Sequence, residues 1–222
     1  MAGTLIASVA LVAIWELIGK RSFRREILET SKYASDMDLA AVSHIGTNYL
    51  REPDWDELFK GVDRFDVFLA YGSTWRQSNL TNLENLARKK GVKIRVFLPD
   101  PDDQHTVNTL ATRFNYTHEK LINHINEAKE EFSALPASKD GSLEIFFRKG
   151  DALFSCYRFG SVAVLTLYSH QKRRTGVPTV VCQQGGSLYD FLVQEFDSIH
   201  RQSRRVFPVS SDTLEKPSKE AI

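Results

Sequence analysis

The chain has 222 residues, 42% of them hydrophobic and 11% aromatic, and its 29 basic side chains stand against 28 acidic ones for a formal net charge of +1. That length holds one good-sized core or one domain with appendages, and the balance of charge excludes bulk attraction to nucleic acid or lipid, so any basic site must come from local clustering. The two cysteines, Cys156 and Cys182, lie in apolar runs with no CxxC or Cys/His cluster, which excludes a zinc signature and fits two buried thiols in a reduced compartment.

Residues Thr4 to Ile18 are nearly all apolar, Glu16 being the one charge. With Ala2, Gly3 and Gly19 the run reaches about 18 residues, or about 27 Å as a helix, close to the lower limit for crossing a bilayer. Trp15 suits an interface, and Glu16 stands at the edge where a carboxylate reaches the headgroups. Lys20, Arg21, Arg24 and Arg25 follow at once, so the positive-inside bias places the rest of the chain in the cytoplasm. A cleaved signal peptide carries its charges before the apolar run; here they come after it. Residues 1–20 are therefore expected to be a single-pass anchor in a bacterial inner membrane, with residues 4–19 in the bilayer. A helix buried or packed on a partner is the other reading.

Residues 21–64 read as a linker helix and lead-in segment. Ser22 to Asp36 is helical in pattern, Leu39 to Ile45 is a candidate strand ending in His44 and a Gly46-Thr47-Asn48 turn, and Trp55, Leu58 and Phe59 mark a short helix between Pro53 and Gly61. The stretch Phe65 to Asp103 then reads as strand, helix, strand. Asp66 to Tyr71 and Val92 to Leu98 are buried-strand runs, ended by Gly72 and Pro99. Between them Leu80, Leu83, Leu86 and Ala87 fall at helical spacing, Ser73 or Thr74 can cap the helix, and Lys89, Lys90 and Gly91 close it. Such a βαβ unit has parallel strands, and ligands sit beyond their carboxyl ends. That points to the loops Tyr71 to Arg76 and Pro99 to Asp103.

Further on, helices are expected over Thr106 to Phe114 and Thr117 to Ala134. Leu143 to Phe147, Ala152 to Phe159 and Val162 to Tyr168 read as three strands joined by tight turns at Lys149-Gly150-Asp151 and Phe159-Gly160-Ser161, hence an antiparallel meander. Thr179 to Cys182 is a fourth candidate strand. Gly185 and Gly186 precede a strong amphipathic helix, capped by Ser187 and closing in Arg201, Arg204 and Arg205. The tail, residues 207–222, is polar, lacks a period and reads as disordered.

This order of elements, with the strand ending in Leu98-Pro99-Asp100-Pro101 and the Gly-Gly turn before a closing helix, resembles a single phospholipase D-like domain over residues 65–206. The resemblance implies an α/β fold, one mixed sheet flanked by helices, preceded here by one transmembrane helix. In that family a His-x-Lys-x4-Asp motif on a strand carries the reaction: the histidine attacks phosphorus and the lysine holds the equatorial oxygens. In the matching strand pair the motif positions hold Ser155 and Tyr157, so the nucleophile is missing. The literal pair His118 and Lys120 lies on a helix, where residues two apart face different ways, and Ile125 stands where aspartate is required. The chain looks closer to degenerate relatives that serve as sensory or regulatory modules in prokaryotes.

A degenerate cleft keeps its shape and an affinity for phosphates. Candidate ligand residues are Ser73, Thr74, Trp75 and Arg76 on one loop and Tyr168, Ser169, His170 and Arg173 on the other, with Trp75 and Tyr168 as stacking surfaces. For Ser73 and Thr74 helix capping is the plainer reading, and the basic run Lys172-Arg173-Arg174 reads equally as a solvated loop. Asp100, Asp102 and Asp103 read as a turn more readily than as a metal site. No cofactor, metal or catalytic residue is expected. The partners expected are the bilayer and a nucleotide or phosphorylated ligand in prokaryotic signalling or defence, with a homodimer or a protein partner left open. An active phosphodiesterase or nuclease using His170 or His118, or a membrane scaffold presenting the last helix, are the competing readings.

Overall fold

The computed structural model describes residues 20–169 and 176–208. The anchor expected at residues 4–19, the candidates His170 and Arg173, and residues 209–222 of the expected tail lie outside them. No helix among the described residues is long and apolar enough to cross a membrane.

Eight strands make one mixed sheet flanked by helices. They are β1 (Val42–Gly46), β2 (Arg64–Phe68), β3 (Lys93–Pro99), β4 (Ser142–Arg148), β5 (Phe154–Phe159), β6 (Val162–Leu167), β7 (Thr179–Gln183) and β8 (Ser203–Phe207), in the order β1-β7-β6-β5-β2-β3-β4-β8. β2, β3 and β4 are parallel, and every other neighbouring pair is antiparallel. β2 and β3 are covered on both faces, which is why they read as near-continuous apolar runs.

The helices are α1 (Lys20–Ala40), α2 (Trp55–Phe59), α3 (Ser73–Ser78), α4 (Leu80–Arg88), α5 (Gln104–Phe114), α6 (His118–Ser133) and α7 (Ser187–Arg201). α6 shows how local pattern and packing agree. Thr117 caps it by accepting from the Lys120 amide, and Leu121, Ile125, Ala128 and Phe132 form one buried stripe. α5 starts on Asp103, which accepts from the Thr106 amide, and stops on Asn115 in the left-handed region at φ 55°. β1 belongs to the sheet, and Trp55 and Phe59 belong to the core, so the lead-in segment is part of the same folded unit.

Four expectations are corrected. The segment from β4 to β5 is no hairpin, because β3 and β2 lie between those strands. Residues 149–153 instead cross the carboxyl ends of β3 and β2, pinned where Arg113 pairs with Asp151 and donates to the Ala152 carbonyl, and where the Gly150 amide donates to Thr106. Only the β5–β6–β7 part of the meander is antiparallel as expected. The helix after β2 breaks at Asn79, whose amide group bonds back to the Trp75 carbonyl, and its first piece begins on Gly72 with no side-chain cap from Ser73 or Thr74. α7 likewise begins on Gly186 with no side-chain cap from Ser187. Finally, Arg204 and Arg205 are not helical: α7 ends at Arg201 and the chain turns into β8, an edge strand on β4.

Arg204 fastens that edge strand to the loop after β3. Its Nε and Nη2 donate to Asp100 at 2.9 and 2.8 Å, and Nη2 also donates to Asp102 at 2.6 Å. The guanidinium holds the Asp100 carboxyl below the usual carboxylate range, against the opposing effect of burial. A folded value below the unfolded one gives stability that is complete above about pH 4 and is lost as the pH falls through the folded value. Urea unfolding across the acid range is expected to show this loss in the native chain and a flatter profile in Asp100→Asn. Arg204→Leu, which strands a buried carboxylate, is expected to cost about 1–3 kcal/mol at neutral pH.

Candidate functional site

The site grows out of the way the chain leaves β2. Beyond Phe68 the backbone stays buried through Tyr71 and then turns at Gly72, where φ of 61° favours glycine and a Cβ would press on the Leu69 side chain at 3.2 Å. Three backbone groups on this exit find three different elements. The Leu69 amide donates to the Phe97 carbonyl of β3 at 3.2 Å, the Ala70 amide to the Tyr168 hydroxyl at 2.8 Å, and the Tyr71 carbonyl accepts from Arg76 Nε at 2.8 Å.

Across the gap stand β5 and β6. Ser155 and Tyr157 are two apart on β5 and therefore share a face, and Thr166 is the cross-strand partner of Ser155. The Ser155 hydroxyl donates to the Tyr168 hydroxyl at 2.6 Å. A cleft of about 300 Å³ lies between these walls. Ser73, Thr74 and Trp75 from one side and Tyr168 and Ser169 from the other all line it. Sequence reasoning missed Thr166 and Phe114 as lining residues, while Tyr71 belongs to the loop it pointed to. For Thr166 the only signal was its register against Ser155; for Phe114 there was none, since a helix-end phenylalanine reads as plain core.

The lining is aromatic and hydroxylic. Phe114 meets Tyr71 edge-on at 5.5 Å and Tyr168 at 5.3 Å, and Tyr71 stacks on His124 at 5.2 Å. Among the described residues no acidic or basic side chain lines the cleft. Burial pushes the Tyr157 phenol well above its ordinary value, so it stays a neutral hydroxyl. Burial also pushes up the Cys156 thiol, and that of Cys182 to about 11, so neither free cysteine is a nucleophile at neutral pH.

The other candidates lie elsewhere. Arg76 is buried outside the cleft, where it pairs with Glu131 of α6 as well as holding the Tyr71 carbonyl. It braces α3 against α6. The Pro99 to Asp103 loop is committed to Arg204 and to capping α5, which uses the charges a ligand would need. His118 and Lys120 stand on the exposed first turn of α6, with the Lys120 ammonium 4.4 Å from the Tyr116 ring centre. No group of three or more His, Cys, Asp or Glu among the described residues could hold a metal ion.

No known family's sequence profile matches the chain, and neither does any curated protein. Among solved structures it is similar to TrmBL2, an archaeal chromatin protein described as showing a novel mode of DNA binding. That likeness has 12% identity and a TM-score of 0.40, over 92% of this chain and 69% of the other. It is also similar to Nuc of Salmonella typhimurium, a phospholipase D family member, with 6% identity and a TM-score of 0.38 over 73% of this chain and 95% of the other.

The Tyr168 hydroxyl therefore has a structural duty that can be separated from any ligand. Tyr168→Phe deprives the buried Ala70 amide and the Ser155 hydroxyl of their acceptor, and is expected to lower unfolding free energy by about 1–3 kcal/mol in urea titration.

Proposed function

We propose that the chain is a membrane-anchored cytosolic sensor or effector module of prokaryotic signalling or defence, whose catalytically degenerate phospholipase D-like cleft binds a nucleotide or phosphorylated ligand. The observation that carries this reading is the meeting of Ser73, Thr74 and Trp75 with Tyr168 and Ser169 around one cleft at the carboxyl ends of the parallel strands. Ser155 and Tyr157 occupy the motif positions on β5 and line the same cleft, and neither can attack phosphorus as an imidazole does. The basic residues Lys172, Arg173 and Arg174 follow Ser169 within a few positions and supply the charge for a phosphate at the mouth. The α3 amides contribute little to that charge, since a six-residue helix broken at Asn79 has a weak dipole. The segment 4–19 holds the module at the inner leaflet.

Mass spectrometry of small molecules co-purifying with the full-length chain, followed by calorimetric titration with nucleoside monophosphates, tests the reading. Affinity is expected to fall with added salt, because phosphate recognition by arginine and lysine is ionic, and Arg173→Ala is expected to weaken binding about fivefold. Indifference to both would move the site elsewhere. Hydrolysis of a generic phosphodiester that disappears in both His118→Ala and His170→Ala would replace the reading with an enzyme. Arg76→Ala is expected to act on stability, by about 2–4 kcal/mol, because it leaves the Tyr71 carbonyl and Glu131 without their buried partner.

A further inference from the structure

The inner cleft carries polar groups that nothing in the described structure uses. Trp75 is 1% exposed and Thr166 5% exposed, and both line the cleft. Yet the Trp75 indole N–H and the Thr166 hydroxyl have no hydrogen-bond partner among the described residues, and neither does the Ser73 hydroxyl at the lip. An unpaired buried donor costs stability that an apolar side chain of the same shape would not, so valine at 166 and alanine at 73 would serve a purely structural wall better. Their neighbours show that the space is otherwise well used. The Ser155 hydroxyl, directly across from Thr166, is bonded to Tyr168, and the Trp75 ring packs 4.5 Å from Tyr157 and 5.4 Å from Trp55.

The chemistry of these orphans constrains what would satisfy them. An indole N–H only donates, so its missing partner is an acceptor, and each unpaired hydroxyl can likewise donate to an acceptor. No acidic or basic side chain among the described residues lines this space, so a phosphate placed there would be a buried, uncompensated charge. The described walls therefore favour an uncharged group. A volume of about 300 Å³ lies at the small end for ligand sites and suits one compact ring system, and Tyr71, Phe114 and Tyr168 form an aromatic wall for it.

We propose that the inner cleft recognises an uncharged heterocycle presenting ring-nitrogen or carbonyl acceptors to Trp75, Thr166 and Ser73, which in chemical terms is a nucleobase. This rests on the nucleotide-binding reading above and narrows it: the base, not the phosphate, is what the described walls select.

The full-length chain is titrated with the common nucleosides, their 5′-monophosphates and ribose 5-phosphate. At least one nucleoside is expected to bind with an affinity unaffected by salt, while ribose 5-phosphate binds far more weakly than the matching monophosphate. Thr166→Val and Ser73→Ala are each expected to weaken nucleoside binding about five- to tenfold while leaving the unliganded Tm unchanged or raised. In an NMR spectrum the Trp75 indole N–H signal, identified by its absence in Trp75→Phe, is expected to move downfield on saturation with that nucleoside. Ribose 5-phosphate binding as tightly as the monophosphate, with nucleosides silent, overturns this inference and leaves the broader reading standing. Thr166→Val lowering the unliganded Tm with affinity intact also overturns it, because the hydroxyl would then be structural. Silence from every probe removes the broader reading as well.

Discussion

The Ala70 amide is a buried donor just past the last paired residue of β2, and a donor so placed must be satisfied. The sheet offers it nothing, and the partner it finds is a tyrosine hydroxyl 98 residues further along the chain. That single requirement holds the end of β6 against the exit of β2 and so fixes the width of the cleft. Ser155 joins the same hydroxyl from β5, which ties three strands together at one oxygen. Arg76 completes the arrangement from below, because its guanidinium holds the next carbonyl and a glutamate on α6 at once. A cleft whose walls are set by main-chain groups keeps its shape without a ligand, and preorganisation of that kind lowers the cost of binding.

The sheet also sorts its charges. Asp66 and Phe68 point to one face of β2 while Phe65 and Val67 point to the other. On the first face Asp66, fully buried, accepts from Arg64, Arg95 and Arg158, and Arg158 also reaches the Tyr189 hydroxyl of α7. On the second face Phe59, Phe65, Trp75 and Phe159 pack ring against ring. Alternation thus sends Arg158 of β5 to the α7 side and Ser155 and Tyr157 to the cleft side. The absence of charged side chains from the cleft walls among the described residues follows from strand pleating as much as from composition. A carboxylate ringed by three guanidiniums is weak evidence for stability in itself, but it places those cations where they cannot reach a ligand in the cleft.

Much of this architecture was legible in the residues because the informative signals were local. The apolar runs of β2 and β3, the stripe of α6 and the Gly160 turn each declare themselves within a few positions, and the rule that ligands sit beyond parallel strand ends brought Ser73 and Tyr168 into view. What stayed hidden depended on distant partners. Lys149-Gly150-Asp151 has the composition of a hairpin turn, and only Arg113 and Thr106 make it a crossing. Arg204 and Arg205 suit the end of a helix, and only Asp100 and Glu144 hold them in a strand. Ser73 looked like a cap because serine before a helix usually is one, yet Gly72 takes that place and leaves the hydroxyl to the cleft. Arg76 looked like a ligand because nothing in its own neighbourhood reveals Glu131.

The two outer lanes of the sheet are filled by the first and last described strands, and this shapes how the molecule must be assembled. β1 has β7 as its sole neighbour among the described residues, and the Ser43 hydroxyl meets the Val181 carbonyl across 138 positions. During synthesis that early ribbon therefore waits, unzipped, until β7 emerges, while β4 pairs with β3 on one side and waits only on its other side for β8. Chains with such distant pairings mature slowly, and their half-finished edges are sticky toward other chains. β1 is five residues long and interrupted by a bulge near Ser43, the kind of short, irregular border that keeps a lone strand from recruiting a stranger before its own mate arrives.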